Sequence, residues 1–320
     1  MQVLDKTIKQ LTVPTPFAVG DVHVYLLKGD MLSLVDAGVK TKEAWQAVTE
    51  QLKESGYHPE DIEQIILTHH HPDHTGLIEQ FPRLKHIAAH QNVDVWLRRD
   101  EAYFRGYEHF FHVLFIQSGI PARFQGFLDQ MRKPLILAGR GEVTDALDEG
   151  DTLPGHGEWQ VIETKGHAQS HLSFFRQEDG LFIGGDHLLK SISPNPLIEP
   201  PGDPSAERPR PILQYRRNLQ KCLELGITKV LPGHGDVFSD LEEILPKQMK
   251  RQVQRAEKVY QLIAAEAQSP FQLCQKIFPR QYESQLELTM SETFAQLDYL
   301  EDEGKIEQAM EEGRLMYAAK

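Results

Sequence analysis

Short runs of apolar and polar residues bounded by turn residues dominate the first ninety positions, the pattern of half-buried strands. Val3 to Leu11, His23 to Leu27 and Met31 to Asp36 read as strands, with Lys28-Gly29-Asp30 joining the last two as a hairpin. The period then lengthens, and Lys42 to about Ser55 reads as an amphipathic helix. Ile65 to Leu67 reads as a short buried strand, His74 to Gln80 as a helix and His86 to His90 as a further strand. After residue 140 the strand pattern returns at Thr144 to Leu147, Trp159 to Thr164, Leu172 to Arg176, Leu181 to His187 and Lys229 to Leu231. A helix from Ile212 to Leu225 follows the proline-rich segment Ser193 to Pro211, which must be irregular. Hairpins first and strands alternating with helices later predict a layered α+β arrangement with mixed sheets.

Two stretches depart from that pattern. Between about residues 91 and 133 the chain reads as a helical insertion. Phe104, Tyr107, Phe111 and Phe115 recur at helical spacing, Trp96 precedes them, and Phe124 and Phe127 follow the break at Gly119-Ile120-Pro121. Such a stripe either packs on the body of the domain or faces a substrate as a lid. Beyond Glu243 the pattern changes to a long helix, Gln248 to Ala265, then helices near Phe271 to Ile277 and Thr289 to Glu303, then two strand-like pieces about Gly313. Three helices and a β-hairpin suggest a small winged-helix-like domain over 246–320, set apart from a domain over 1–245.

Candidate chemistry concentrates in Thr68-His69-His70-His71-Pro72-Asp73-His74. At a strand end His69 and His71 face the same way and His70 faces the other, so a structural role suits His70. Asp73 and His74 enter from a helix start, where Asp73 could also serve as a cap. Three imidazoles and a carboxylate around one small volume are costly unless a cation sits among them. Three later sites repeat one arrangement, a metal-binding residue type beside glycine at the end of an apolar strand: Gly166-His167, Gly185-Asp186 and Gly233-His234.

With these residues in order, the sequence resembles the metallo-β-lactamase-fold hydrolases. The HxHxDH signature is His69, His71, Asp73 and His74, the later His, Asp and His are His167, Asp186 and His234, and Asp36 in Val35-Asp36-Ala37-Gly38 matches the early Asp-x-Gly. The resemblance covers about residues 10–240 and implies a four-layered αββα sandwich with a dinuclear site at one edge of its sheets. Carried over by position, one metal takes His69, His71 and His167, the other takes Asp73, His74 and His234, and Asp186 bridges them. Two cations about 3.5–4 Å apart hold a water as hydroxide near neutral pH and polarise the oxygen under attack, with Asp73 and Asp186 as the catalytic carboxylates. Two zinc ions fit the ligands best, and iron or manganese are also admitted. Asp36, His171 and His187 are candidates for bonding to the ligands' outer atoms, and His171 could equally be structural.

Among relatives the pattern is similar to glyoxalase II-like thioesterases and lactonases, and the C-terminal region to the β-lactamase-like protein 2 group. Hydrolysis of an ester or thioester of a small molecule is the leading expectation. A nuclease or phosphodiesterase, drawing on Arg98, Arg99, Arg105, Arg123, Arg132 and Lys133, is one alternative. A mononuclear iron persulfide dioxygenase is another.

Apolar content of 40% and charged content of 25% are ordinary, while the formal net charge of −13 works against nucleic-acid and membrane surfaces. Glu287, Glu292, Asp298, Glu301, Asp302 and Glu303, with no Lys or Arg among them, should repel phosphate, which points the C-terminal domain to packing or homodimerisation. Cys222 and Cys274 make no disulfide framework and read as buried thiols. No signal peptide or spanning segment is legible, so a cytoplasmic protein is expected.

Overall fold

The structure is a computed structural model that describes residues 2–320. Its chain forms two compact units, the first comprising residues up to Asp100, Arg132–Pro194 and Gln220–Leu241, the second Glu101–Met131, Asn195–Leu219 and Glu242–Lys320.

The first unit is built on two mixed sheets. One has strands β1 (Gln2–Val3), β2 (Ile8–Val13), β3 (Val22–Lys28), β4 (Leu32–Val35), β5 (Gln64–Ile66), β6 (His86–Ala89) and β7 (Asp145–Ala146), hydrogen-bonded in that order. Pairing is antiparallel as far as β4 and parallel from β4 to β7, where the connections are long enough to cross over. The other sheet has β8 (Thr152–Leu153), β9 (His156–Glu163), β10 (Leu172–Arg176), β11 (Leu181–Gly185) and β12 (Lys229–Pro232). Only its β11–β12 pair is parallel.

Alternation along β3 and β4 divides their side chains between two cores. Tyr25, Leu27 and Val35 meet Trp159, Val161, Phe174 and Leu231 of the second sheet, which makes the inter-sheet core. Val24, Leu26 and Leu34 instead pack with Ala44, Val48 and Leu52 of helix α1 (Lys42–Glu54) on the outer face. The Thr41 hydroxyl caps α1 by accepting the Ala44 N–H at 3.1 Å. Trp159 is 1% exposed, and the Arg176 guanidinium lies 5.1 Å over its ring, held there by Asp5 and Asp179. Replacing Trp159 by Ala is expected to cost about 3–5 kcal/mol, read as a lower urea midpoint at unchanged slope.

Most predicted and observed elements agree within a few residues, but the run Val3 to Leu11, expected as one strand, is split into the antiparallel pair β1 and β2. The helix expected over His74 to Gln80 is one turn, α2 (Pro72–Thr75), followed by a 3₁₀ turn at Ile78–Gln80. That short turn is what lets Asp73 and His74 reach inward without a continuing helix pulling them away. The strand β8 was not legible because it has only two residues.

In the second unit, α4 (Glu101–Gln117) carries the aromatic stripe, and Phe104, Tyr107, Phe111 and Phe115 are buried. Trp96 belongs to α3 (Asp94–Leu97), in the first unit. Helix α5 (Pro211–Glu224) begins in the second unit and ends in the first. The helices α6 (Leu241–Ala265), α7 (Pro270–Ile277) and α8 (Leu286–Asp302) precede the hairpin β13 (Ile306–Glu311) and β14 (Arg314–Ala319). Helix α6 starts earlier than its periodicity suggested and contains Pro246, which lies in the second turn. Phe124 packs against Phe271 and Tyr282, so the region after α4 is tied to α7 within this unit. Ser269 opens α7 with a capping box to Gln272. No helix among the described residues is long and apolar enough to cross a membrane.

Candidate metal centre

Five strands of the first unit end at one place. Asp36 follows β4, Thr68 to His71 follow β5, His167 and His171 lie in the turn after β9, Asp186 follows β11 and His234 follows β12. Strands are stiff, so loops of a few residues suffice to aim their side chains at a common volume.

Three groups of inward-facing ligand-type atoms result: His69, His71 and His167; His69, His74 and Asp186; and Asp73, His74 and His234. Within each group the atoms lie within 4.8 Å of one another. His71 Nδ1 is 2.9 Å from His69 Nε2 and 3.0 Å from His167 Nε2. Asp186 faces two ways, with Oδ2 3.5 Å from His167 Nε2 and Oδ1 3.5 Å from His74 Nε2 and 3.6 Å from His234 Nε2. Asp73 Oδ2 lies 3.3 Å from His234 Nε2.

The outer atoms of these rings decide where the protons sit. Asp36 Oδ2 accepts from His74 Nδ1 at 2.8 Å, and the Asp21 carbonyl accepts from His234 Nδ1 at 2.7 Å. The Thr68 hydroxyl has one proton and gives it to the Asp36 carboxylate, so at 3.0 Å it can only accept from His69 Nδ1. In the neutral form all three rings therefore present a bare Nε2 to the interior. Asp36 sets two of them, His74 directly and His69 through Thr68, by adopting φ +64°, a left-handed conformation that aims its carboxylate back at Thr68 and His74.

The residues fit metal ions. His74 Nε2, His234 Nε2 and Asp186 Oδ1 are buried and make no hydrogen bond within the protein, which is costly unless a cation takes their lone pairs. The electrostatics agree. Burial and the neighbouring imidazoles of His74 and His71 push His69 well below the usual histidine range. Burial acts the same way on His74, but the Asp186, Asp36 and Asp73 carboxylates outweigh it and raise that ring well above the range. Burial would raise Asp186, yet His234 and His74 hold it well below the usual carboxylate value. Around these carboxylates the protein draws in positive charge.

His171 and His187 are both buried. His171 accepts the Asp186 N–H on Nε2 at 3.1 Å and therefore donates from Nδ1 to the Thr164 hydroxyl at 2.8 Å. It orients the backbone that carries Asp186. His187 is buried with its ring 6.2 Å from that of His171 and belongs to none of the three groups. His70 is also outside them, as its strand position suggested.

His23 was missed by the sequence reading. Its backbone N–H donates to Gly233 O and its Nε2 to Gly235 O, both at 2.7 Å, so it grips the loop on either side of His234. Nothing local in the sequence marks it, because its partner lies more than two hundred positions away. The Tyr25 hydroxyl donates to Pro232 O at 2.7 Å and fastens the same loop.

Residues 18–234 match the Metallo-beta-lactamase superfamily. This chain belongs to that superfamily. It is 39% identical over 298 residues to the probable metallo-hydrolase YqjP of Bacillus subtilis, covering 92% of each chain. It is 25% identical over 253 residues to the Beta-lactamase-like protein 2 homolog of Caenorhabditis elegans, which covers 78% of this chain and 68% of that one. The crystal structure of a metallo-beta-lactamase family protein from Thermus thermophilus superposes with a TM-score of 0.82 at 27% identity, over 99% of this chain and 100% of that one. The superfamily's four-layered αββα fold is the one observed, and the chain is a metal-binding hydrolase of that superfamily.

Proposed function

We propose that the protein is a dinuclear metallo-hydrolase that cleaves an ester or thioester of a small molecule. The observation that carries this reading is the division of Asp186, whose two carboxylate oxygens face different groups of imidazoles. His69, His71 and His167 would hold one ion, Asp73, His74 and His234 the other, and Asp186 would bridge them. Bound there, two zinc ions, with iron or manganese as the alternatives, supply Lewis acidity for an acyl oxygen and lower the pKa of a water toward neutrality.

The chain's own part is positioning and proton transfer. Asp73, at the start of α2, sits with Oδ2 beside His234 and is placed to orient a water and take its proton. Asp36 and the Asp21 carbonyl hold His74 and His234 in the tautomer that leaves Nε2 free.

The bond class draws support from more distant relatives. The Atrochrysone carboxyl ACP thioesterase of Aspergillus fumigatus is 23% identical over 226 residues, 71% of this chain and 54% of that one. The N-acyl homoserine lactonase AttM of Agrobacterium fabrum is 27% identical over 129 residues, 40% of this chain and 41% of that one. Two of the six basic residues that the phosphodiesterase alternative draws on are already engaged: Arg98 pairs with Asp94 and Glu142, and Arg99 donates to the carbonyls of Leu135, Ala138 and Gly139.

We read the helices and hairpin of the C-terminal region as a winged-helix-like unit used for packing or dimerisation. Most of α8 is buried, including Thr289, Phe294, Leu297 and Asp298, which leaves little of it to enter a groove. Metal-replete protein assayed on acyl thioesters, lactones and phosphodiesters is expected to hydrolyse the first or second group. Turnover confined to phosphodiesters would replace this reading with a nuclease.

A further inference from the structure

His70 stands between two of the proposed ligands and points away from the centre, yet it is neither solvated nor merely packed. Its ring stacks on the Trp96 indole, with centroids 4.0 Å apart and planes 16° apart, and its Nδ1 lies 2.8 Å from Ser170 Oγ. An apolar residue would fill the same space but leave Ser170 without that bond. Ser170 belongs to the turn that carries His167, and Trp96 to α3, so one imidazole ties three segments together. Next to it, Leu172 N donates to Thr68 O at 2.8 Å, a backbone bond between the same two loops.

The two proposed ion positions differ in how they are braced. His74 and His234 take their outer hydrogen bonds from Asp36 and from the Asp21 carbonyl. The three-histidine position is assembled from the two loops that His70 joins, and His71 packs edge-on against the His70 ring at 4.7 Å.

We propose that His70, with Ser170 and Trp96, is a positioning residue for the three-histidine group alone. It sets the separation between His69 and His71 on one loop and His167 on the other. This rests on the dinuclear reading above, and it gives the three-histidine half a brace that the other half lacks. A change in loop spacing of about a few tenths of an ångström alters the distances among His69, His71 and His167, whereas His74 and His234 keep their own outer bonds.

Zinc binding to metal-depleted protein, followed by competition with a chromophoric chelator, tests this directly. The parent chain is expected to bind two zinc ions. In His70→Phe, which keeps an aromatic ring against Trp96 and removes the bond to Ser170, one dissociation constant is expected to rise about tenfold or more and the other to stay within about twofold. Ser170→Ala, the gentler variant should His70→Phe fold poorly, is expected to weaken the same ion. His23→Ala, which removes the side-chain bond to Gly235 O beside His234, should weaken the other ion, which identifies the halves. Both constants unchanged in His70→Phe and Ser170→Ala, or both raised together in step with a lower melting temperature, would overturn the proposal. A parent chain that binds no zinc, iron or manganese overturns the dinuclear reading itself, a result separate from any difference among the variants.

Discussion

Gly233→Ala is expected to lower kcat/KM by about a hundredfold or more while the chain keeps its fold. A β-carbon at residue 233 would lie 2.3 Å from Asp186 Oδ1 and 3.1 Å from the Gly185 carbonyl carbon and oxygen. The backbone cannot back away, because Gly233 N donates to Gly185 O at 2.7 Å and Gly233 O accepts from His23 N at 2.7 Å. The carboxylate must therefore turn, and it is the one group that faces both halves of the centre. A displacement on the order of an ångström at such a group is large against the tolerance of a reacting site. Gly157→Ala is the control, since a β-carbon there meets nothing within 4 Å. Circular dichroism of both variants should match the parent. Retention of activity within tenfold by Gly233→Ala would remove Asp186 from its central role.

Removing the metal is expected to abolish hydrolysis and to destabilise the fold. Two buried carboxylates, Asp73 and Asp186, and the imidazoles of His69, His74 and His234 are then left crowded together without a metal ion among them. Ligand linkage gives the scale: an ion present at a thousand times its dissociation constant stabilises the folded state by about 4 kcal/mol. Depletion with a strong chelator should therefore lower the melting temperature by several degrees, and readdition of zinc should restore both stability and turnover. Full activity in exhaustively depleted protein would eliminate the proposed chemistry. A protein that melts identically with and without zinc would show that these residues do not bind it.

Much of the first unit was legible because its signals are local. Alternation places Leu26 and Leu34 toward α1 and Leu27 and Val35 toward the second sheet, and no distant residue is needed to see it. The same rule separates His69 and His71 from His70. Short elements were less legible: two residues of β8 carry no period, and the helix expected after His74 stops within a turn. The aromatic stripe of α4 illustrates another limit. Its spacing marks a buried face, but spacing says nothing of which element covers it, and Phe124 after it packs against Phe271 of the C-terminal region.

Sequence alone determined which residue types stand at the ends of which strands, because strand ends, glycines and a short histidine-rich run are properties of neighbouring positions. Tertiary structure decided the rest. Only the packing of two sheets brings the ends of β5, β9, β11 and β12 to one edge, divides Asp186 between two sets of imidazoles, and sets His23 on the loop of His234 from the far end of the chain. The protonation of each ring is likewise a tertiary property. It is fixed by whichever carbonyl, hydroxyl or carboxylate lies within about three ångströms of the outer nitrogen, and for His74 and His234 those partners come from segments no local pattern connects.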